Sequence, residues 1–320
     1  MTSTPQISVV MSVYNAENYL REAIDSILNQ TFSDFEFIII EDCSTDSTMQ
    51  ILEEYQQKDS RIIIIKKTEN KGAKGFIENL NLGLDRARGH FIARMDADDI
   101  AAPERFEKQI SVLEKDPQLF ITGAAMDAID EKGRFLRHLS VFTTDDAIRK
   151  NMLKNIALYH PVIMFRNTKM RYREKMISCE DYDFYLRIML QGKKMANIDA
   201  PLLQYRILST SMSRKDQTFV RWMMVEKARS FYREHPTSGT DSYEAFSPEA
   251  ILHILDEKYK NTAEELHFAL RTAVKFNRKE ELPALLKKIN SFYPQEKVSK
   301  YQWALKMPDF VLKIYSKILL

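Results

Sequence analysis

The feature that most constrains the fold is a regular alternation, over the first part of the chain, between short β-branched runs and helix-like stretches. Two of the runs, "EFIII" and "RIIIIK", carry apolar residues on both faces, as expected of strands that are covered by helices on both sides. Strand, helix, strand and helix at this spacing predict a parallel sheet with helical crossovers. The predicted strands are Ile7–Val13, Phe35–Ile40, Arg61–Lys66 and His90–Met95, and the predicted helices are Glu17–Asn29, Ser47–Lys58 and Lys74–Arg88.

After residue 117 the same two textures continue in a less regular order. The runs "QLFITGAAM", "HPVIMFRN" and "MANIDAPLLQYR" predict strands, and the runs "TTDDAIRKNML" and "CEDYDFYLRIMLQG" predict helices. Pro103 stands where a first helical turn would begin, so a further helix is predicted over "ERFEKQISVLEKD".

From Lys215 onward the chain is helical in texture almost throughout. The segments "QTFVRWMMVEKARSFYREH" and "AEELHFALRTAVKF" predict amphipathic helices, separated by the linker-like "PTSGTDSYEAFSPEA". The polar run "STSMSR" then marks a boundary between an α/β region, 1–213, and a helical region, 214–320. Residues 287–320 hold seven lysines among aromatic and leucine residues, which predicts either a solvated basic face or a helix that docks on a membrane surface or a partner.

Composition excludes several classes of protein. With 47 basic and 45 acidic residues the net charge is only +2, so no nucleic-acid partner is expected. Cys43 and Cys179 are too few for a disulfide framework and form no zinc-binding pair, so both are expected to be small packed side chains. The N-terminus lacks the basic flank of a signal peptide, and no run approaches the roughly 18 apolar residues of a membrane span. We expect a cytoplasmic protein, soluble or peripheral on the inner face of the membrane.

A cluster of carboxylates follows the fourth predicted strand, in "FIARMDADDI". Asp96 and Asp98 project the same way if the strand continues, because side chains alternate between faces. Ligands collect at the carboxyl ends of strands in open α/β sheets, and carboxylate oxygens there suit Mg²⁺ or Mn²⁺. The alternative is an acidic loop that caps the next helix, a role that Asp99 alone could fill.

Two further acidic elements point to the same kind of site. Asp42 follows another strand, in "EFIIIEDCSTDST", from where it could reach the same crevice and hydrogen-bond a base or ribose. Glu180, Asp181 and Asp183 lie at the start of a predicted helix, where the helix dipole alone favours acids. Three like charges so close together would also raise the pKa of at least one of them, which suits a general base.

Taken together, four segments resemble the family 2 inverting glycosyltransferases with a GT-A fold. They are "SVVMSVYNAENYL", "EFIIIEDCSTDST", "NKGAKGFIENLNLGLDRARGHFIARMDADD" and "CEDYDFYLR", in this order, and the resemblance covers roughly residues 5–213. It implies an α/β, Rossmann-like fold with a mixed, mainly parallel sheet flanked by helices, followed here by a mostly α-helical C-terminal region.

The resemblance also implies where the nucleotide-sugar donor binds. Asp42 matches the acid that contacts the base, usually uracil, and Asp96, Ala97 and Asp98 match the DxD motif that touches the ribose and a diphosphate-bound Mn²⁺ or Mg²⁺. Asp96 and Asp98 are the implied metal ligands, and Asp181 matches the general base. The remaining donor positions are Ser12, Val13 and Tyr14 along the base, and Asn70, Gly72 and Lys74 in a glycine-containing loop, with Lys74 placed on the phosphates by its charge.

The activity implied by the resemblance is metal-assisted transfer of one hexosyl or N-acetylhexosaminyl unit from a nucleotide-diphosphate sugar, with UDP favoured. The acceptor would be a hydroxyl of a bacterial surface glycan or of a lipid-linked or protein-linked glycoconjugate. A single displacement would invert the configuration at the anomeric carbon. The sequence does not decide the donor sugar, the linkage or whether the protein is an oligomer.

The chain departs from the family pattern in two places. Many relatives follow their last strand with Tyr-Arg-x-His, whose His can join the metal, but Leu208 stands at that position here. Processive synthases carry Gln-x-x-Arg-Trp, whereas Gln217 and the pair Arg221-Trp222 are separated by one residue too many. We therefore expect an amphipathic helix in this segment and the addition of single sugars.

Two other functions stay open at this point. A nucleotidyltransferase has a similar fold, but it would carry a Gly-rich loop with Arg and Lys after the first strand, which "SVYNAENY" lacks. A non-catalytic module that only binds nucleotide-sugars or a partner protein would not need all four of Asp42, Asp96, Asp98 and Asp181. His160, in "LYHPVIMF", either touches the acceptor or caps a turn.

Overall fold

The structure, a computed structural model, describes residues 4–208, 219–308 and 311–312. It divides into two compact units, Met1–Glu174 with Phe184–Ser211, and Lys175–Asp183 with Met212–Leu320. The predicted boundary at residue 213 and Gln217 lie outside the described residues. The short segment Lys175–Asp183 groups with the second unit, which no sequence feature indicated.

The first unit is built on one mixed sheet of nine strands, so the α/β prediction is confirmed. The strand order is β3-β2-β1-β4-β8-β6-β9-β5, with β7 paired to β6. Strands β3, β2, β1 and β4 are mutually parallel, as are β6 and β9, whereas the other pairs are antiparallel. The strands are β1 Ile7–Val13, β2 Phe35–Glu41, β3 Ile62–Lys66, β4 Phe91–Asp96, β5 Ile100–Ala101, β6 Leu119–Ile129, β7 Phe135–Leu139, β8 Met164–Arg166 and β9 Lys194–Arg206.

Burial along the parallel strands follows their place in the sheet. Every residue of β2 is buried, as the run "EFIII" predicts. In β3 only Ile62 is buried, although "RIIIIK" is just as apolar, because β3 forms the edge of the sheet and pairs with β2 alone. Strand β1 lies between β2 and β4, and its register places Ser12 opposite both Ile40 and Asp96. The carboxyl ends of these three strands therefore lie side by side.

The helices of the α/β region match the predicted ones, with shifted ends. Glu17 was expected to begin the first helix, but α1 begins at Leu20, because the Glu17 N–H and carboxylate bind Asp46 and the Ser47 N–H at the start of α2. Pro103 precedes α4 by two residues instead of opening it. The helices are α1 Leu20–Leu28, α2 Thr48–Lys58, α3 Gly72–Arg86, α4 Arg105–Lys115, α5 Asp145–Met152 and α6 Glu180–Leu190.

One predicted strand is mostly a different structure. Over "HPVIMFRN" the chain forms a 3-10 turn, His160–Val162, and then the three-residue strand β8. Pro161 explains the difference, since it has no N–H to give to a sheet and is well suited to a first helical turn.

The second unit is helical where it is described. Its core is formed by apolar side chains that recur at helical spacing, including Leu266, Leu270, Leu285 and Ile289. Thr262 and Glu265 form a capping box that fixes the start of α9. Of the helices that are described, none is both long and apolar enough to cross a membrane. The helices are α7 Phe219–Ser238, α8 Glu249–Leu252, α9 Ala263–Lys275, α10 Leu282–Phe292 and α11 Ser299–Lys306.

Candidate functional site

Three carboxylates converge at the carboxyl end of β4. One oxygen each of Asp96, Asp98 and Asp99 lies within 4.8 Å of the others. Asp99 is fully buried, whereas Asp96 and Asp98 are partly exposed. The structure thus brings the two residues of the predicted DxD motif together and adds Asp99, which the sequence assigned to a cap.

Asp99 does not cap the next helix, so that interpretation of the cluster is wrong for this residue. The N-cap of α4 is Glu104, and no side chain caps it. Asp99 Oδ1 instead accepts the backbone N–H of Arg206 at 2.8 Å, while its buried Oδ2 has no hydrogen-bond partner among the described residues. A buried acid that leaves one oxygen unpaired is costly, unless a proton or a cation completes it.

The electrostatics of the cluster favour a cation. Burial, followed by the neighbouring charge of Asp96, raises the pKa of Asp98 to about 7. Burial and the charges of Asp96 and Asp98 raise the pKa of Asp99 well above its ordinary value. Oxygen ligands at this separation and the unpaired Asp99 oxygen fit a hard divalent cation such as Mg²⁺ or Mn²⁺.

Two buried arginines hold the cluster, and sequence reasoning missed both. Arg94 forms an ion pair with Asp96. Arg206, at the end of β9, donates from Nε to the Asp98 carbonyl oxygen at 2.9 Å and from Nη2 to Glu22 at 2.6 Å. The pairing of Arg94 with Asp96 could have been recognised from the sequence, because residues two apart in a strand share a face. Arg206 was not, because it is 108 residues from Asp98 along the chain.

A second group of polar side chains surrounds Asp42, just past β2. Asn70 donates from Nδ2 to the Asp42 carbonyl oxygen at 3.0 Å and to Oδ2 at 3.2 Å. Its own Oδ1 accepts the N–H of Gly72, at the start of α3, at 2.8 Å. The structure therefore brings together Asp42, Asn70 and Gly72, and their role in a donor pocket stays a prediction.

A lysine that was not predicted, Lys67, lies beside Asp42, whereas the contact of Lys74 with the donor phosphates stays a prediction. Lys67 Nζ lies 3.4 Å from Asp42 Oδ1 and 3.6 Å from Glu78, and it is largely buried. Lys74 is exposed on α3, and within the described part of the chain no ion pair joins it to an acid. Lys67 could have been recognised from the sequence, because it directly follows β3 and so lies at the same edge of the sheet as Asp42.

The three residues predicted along the base end β1 and follow it. Ser12 Oγ accepts a hydrogen bond from Asn79 Nδ2, at 3.0 Å, beside Asp96 in the neighbouring strand. The Val13 side chain is part of the core, and its carbonyl oxygen accepts the Asp42 N–H at 2.9 Å. Tyr14 is half exposed, so its ring is the accessible one of the three side chains.

Asp181 is the second residue of α6 and belongs to the second unit. Its Oδ1 accepts the N–H of Tyr182 at 2.7 Å, and it is more exposed than its neighbours Glu180 and Asp183. Acids in the first turn fit the helix dipole, as the sequence indicated. Its assignment as a general base stays a prediction.

Three other residues weighed from the sequence have structural contacts. His160 is buried, with Nε2 at 2.8 Å from the Tyr172 hydroxyl, and burial lowers its pKa well below the ordinary value. Cys179 is buried, and burial raises the pKa of its thiol. Cys43 is half-buried and donates from Sγ to the Lys67 carbonyl oxygen at 3.2 Å. Cys179 is thus a packed side chain, as the sequence predicts, whereas His160, expected to touch the acceptor or to cap a turn, is buried against Tyr172.

Comparison with known proteins adds to this geometry. The family model described as "Glycosyl transferase family 2" matches residues 8–191. The uncharacterized glycosyltransferase MJ1057 of Methanocaldococcus jannaschii is 40% identical over 209 residues, which are 63% of this chain and 71% of that protein. The O-antigen biosynthesis glycosyltransferase WbnJ of Escherichia coli is 36% identical over 214 residues, covering 64% of this chain and 81% of WbnJ.

Solved structures share the fold. S. aureus TarS 1–349, solved in complex with UDP-GlcNAc, superposes with a TM-score of 0.64 at 18% sequence identity. The superposition covers 94% of this chain and 90% of the TarS chain. A sheet flanked by helices and followed by a helical region is therefore common to both, which confirms the predicted fold class.

Proposed function

This chain belongs to glycosyl transferase family 2, and from that membership we propose that it moves one sugar from a nucleotide-diphosphate sugar to a hydroxyl of a glycan. The observation that carries the proposal is the shared edge of β2, β1 and β4, where Asp42 with its partners and the cluster of Asp96, Asp98 and Asp99 follow neighbouring strands. Ligands of open α/β sheets bind at such an edge.

A UDP-sugar is the favoured donor, and a bacterial surface glycan is the favoured acceptor. UDP-GlcNAc is bound in the TarS structure that shares the fold, and WbnJ is named for O-antigen biosynthesis. Asp42, held by Asn70, would accept hydrogen bonds from the base, and the exposed ring of Tyr14 would stack on it. Ser12 lies between these residues and Asp96, where a ribose would sit.

Asp96 and Asp98, with the unpaired oxygen of Asp99 behind them, would hold Mg²⁺ or Mn²⁺. Such an ion supplies positive charge to a departing diphosphate. The chain's own cations are already engaged here, since Arg94 is paired with Asp96 and Arg206 with Glu22. The carboxylates alone would repel a diphosphate, so we expect donor binding to depend on a divalent ion.

For the transfer itself we propose Asp181 as the general base. Its carboxylate would take the proton from the acceptor hydroxyl, and that oxygen would attack the anomeric carbon from the face opposite the leaving diphosphate. One displacement inverts the configuration, so an α-linked donor gives a β-linked product. The proposal rests on the position of Asp181 in the motif "CEDYDFYLR" and on its exposure, which exceeds that of Glu180 and Asp183.

The experiment that tests the function is calorimetric titration of UDP, GDP, dTDP and CMP, each with Mn²⁺, with Mg²⁺ and with EDTA. Tight binding of one nucleoside diphosphate that EDTA abolishes supports the proposal, and UDP is the expected one. Absence of binding under every condition contradicts it.

The stereochemistry can be tested without knowing the acceptor, because water serves as a slow acceptor. Donor hydrolysis followed by proton NMR reports the first anomer released from a UDP-α-sugar. An initial β-anomer supports inversion, whereas an initial α-anomer contradicts it.

A further inference from the structure

The second unit contains a cavity of about 370 Å³, lined by residues of α7, α9 and α11 and by the chain that follows α11. Ligand pockets commonly measure about 300–1,000 Å³, so this cavity can hold a small molecule or one end of a larger one. All of its lining residues belong to the second unit, and none of them carries a predicted role in sugar transfer.

The walls of the cavity are mainly apolar. Phe268 of α9, and Met307 and Leu312 beyond α11, contribute hydrophobic surface. Trp303 of α11 also lines it, and 58% of this side chain is exposed, which is unusual for the largest apolar residue. An apolar ligand that covered the indole would gain free energy, because apolar surface would be removed from water.

The same cavity carries an excess of positive charge. Among the residues that the structure describes, Arg271, Lys275 and Lys300 line it, against one acid, Glu226. Arg271 and Lys300 are exposed, and among the residues that the structure describes neither forms an ion pair. Lys300 lies over the ring of Tyr301, with Nζ 4.9 Å from the centroid, so one cation stands next to an aromatic wall.

Glu226 does not neutralise Arg271 or Lys300, because its carboxylate is already paired with other cations. Its carboxylate lies 2.7 Å from Lys275, 2.9 Å from Arg233 and 3.6 Å from Arg229. Arg271 and Lys300 therefore keep their positive charge at the cavity. A low-dielectric pocket with this surplus attracts anions.

We propose that this cavity binds an anionic amphiphile, whose phosphate lies between Arg271 and Lys300 and whose apolar chain covers Phe268 and Trp303. The cationic residues and the apolar residues of the lining would then both contact the ligand. An inorganic anion would leave the indole exposed, and a neutral apolar chain would leave the cations without a counter-charge. No residue is common to this cavity lining and to the predicted nucleotide-sugar site.

Fluorescence of Trp303 provides the test. The chain has two tryptophans, and Trp222→Phe removes the other one while keeping an aromatic ring on Phe276. In this background the probes are dodecyl phosphate below its micelle concentration, the neutral dodecyl maltoside, and inorganic phosphate. Dodecyl phosphate is expected to shift the Trp303 emission to shorter wavelength, and to do so at lower concentration than dodecyl maltoside.

Charge variants then locate the phosphate. Arg271→Gln with Lys300→Gln is expected to weaken dodecyl phosphate binding by about tenfold or more, since it removes two charge-assisted contacts. Lys297→Gln, an exposed lysine just before α11 that does not line the cavity, is the matched control and should change nothing. Far-UV circular dichroism of each variant shows that the helices are intact.

The outcomes separate the alternatives. Equal binding of dodecyl maltoside, or no effect of the double variant, shows a purely apolar groove and overturns the proposal. Inorganic phosphate that displaces dodecyl phosphate at equal concentration shows a free-anion site and also overturns it. No emission change with any probe overturns it as well.

Discussion

Arg206 binds the loop of Asp98 and Asp99 twice, because its Nε donates to the carbonyl oxygen of Asp98 at 2.9 Å and its backbone N–H donates to Oδ1 of Asp99 at 2.8 Å. The guanidinium also lies over the ring of Tyr19, 4.7 Å from its centroid, and bonds Glu22. Strand β9 thus holds the Asp98 peptide and the Asp99 carboxylate in place.

The first prediction concerns this anchoring. Arg206→Lys keeps the charge and the backbone bond but removes the Nε donor, so the Asp98 peptide is expected to become looser. Loss of such supporting contacts typically costs about 10- to 100-fold in metal affinity. Titration of Mn²⁺ in the presence of UDP measures it.

Arg166→Lys is the matched control for Arg206→Lys. Arg166 also bonds backbone carbonyl oxygens from β8, those of Leu119 at 2.9 Å and Leu113 at 2.6 Å, but it lies away from the carboxylates. If both variants lose metal affinity equally, Arg206 acts on general stability and not on the site.

The second prediction concerns the carboxylates themselves. Asp98→Asn keeps the shape of the side chain but removes one of the three carboxylates. We expect the factor by which a divalent ion strengthens UDP binding to fall by about tenfold or more. Asp116→Asn, an acid in an exposed turn, serves as the control. UDP binding to Asp98→Asn that is as strong, and as sensitive to EDTA, as in the unmodified protein would contradict the metal assignment.

The third prediction separates two lysines. Lys67 is buried against Asp42 and Glu78, whereas Lys74 is exposed. Lys67→Gln leaves two acids facing each other, so we expect UDP binding to weaken by about tenfold, the effect of roughly 1.4 kcal/mol. Lys74→Gln is expected to change it by less than about threefold. The reverse order would restore Lys74 as the phosphate contact and remove Lys67 from the site.

Much of the fold and of this site was predictable, because it depends on local patterns. Strand periodicity and helix signals located β1, β2, β4 and the helices between them to within a few residues. The acids that follow β2 and β4 then had to share one edge of the sheet, since the carboxyl ends of parallel neighbours meet there.

What could not be predicted depends on contacts between distant residues. Arg206 and Asp98 pair across 108 residues, and no local pattern marks such a partner. The edge position of β3 is likewise set by strand order, so its isoleucines gave the wrong expectation of burial. Strand β5 has only two residues, and β7 is a short run that is exposed up to the half-buried Leu139, so neither shows the pattern of a buried strand.

The fourth prediction concerns stability and pH. Glu36 is a buried acid in β2 that accepts hydrogen bonds from Ser8 at 2.7 Å and from Arg88 at 2.7 and 2.9 Å. Burial alone would raise the pKa of Glu36, but the bonds from Ser8 and Arg88 lower it below the ordinary 4.5. A lowered pKa in the folded state means that the stabilisation is present above pH 4.5 and is lost as the pH falls below it.

Glu36→Gln is therefore expected to lower the free energy of unfolding by about 1–3 kcal/mol at pH 7, and by less at pH 4. Urea unfolding at both values measures the difference. Glu54→Gln, which removes an exposed ion pair with Arg21, is the control and should lower the free energy of unfolding much less than Glu36→Gln does at pH 7. A cost for Glu36→Gln that is the same at both pH values would show that the carboxylate charge is not what stabilises β2.

The fifth prediction concerns the proposed base. Asp181→Asn keeps the size of the side chain and its hydrogen bond to the Tyr182 N–H, but it cannot accept a proton from an acceptor. We expect turnover to fall by about 10²- to 10⁴-fold, the usual contribution of a general base, while UDP affinity changes less than about threefold.

Asp146→Asn removes an exposed acid from the first turn of α5, and it controls for the loss of a charge at a helix start. Donor hydrolysis and calorimetry on the same preparations separate the two effects. Turnover near the unmodified rate, or a parallel loss of UDP binding, would remove Asp181 from the role of base.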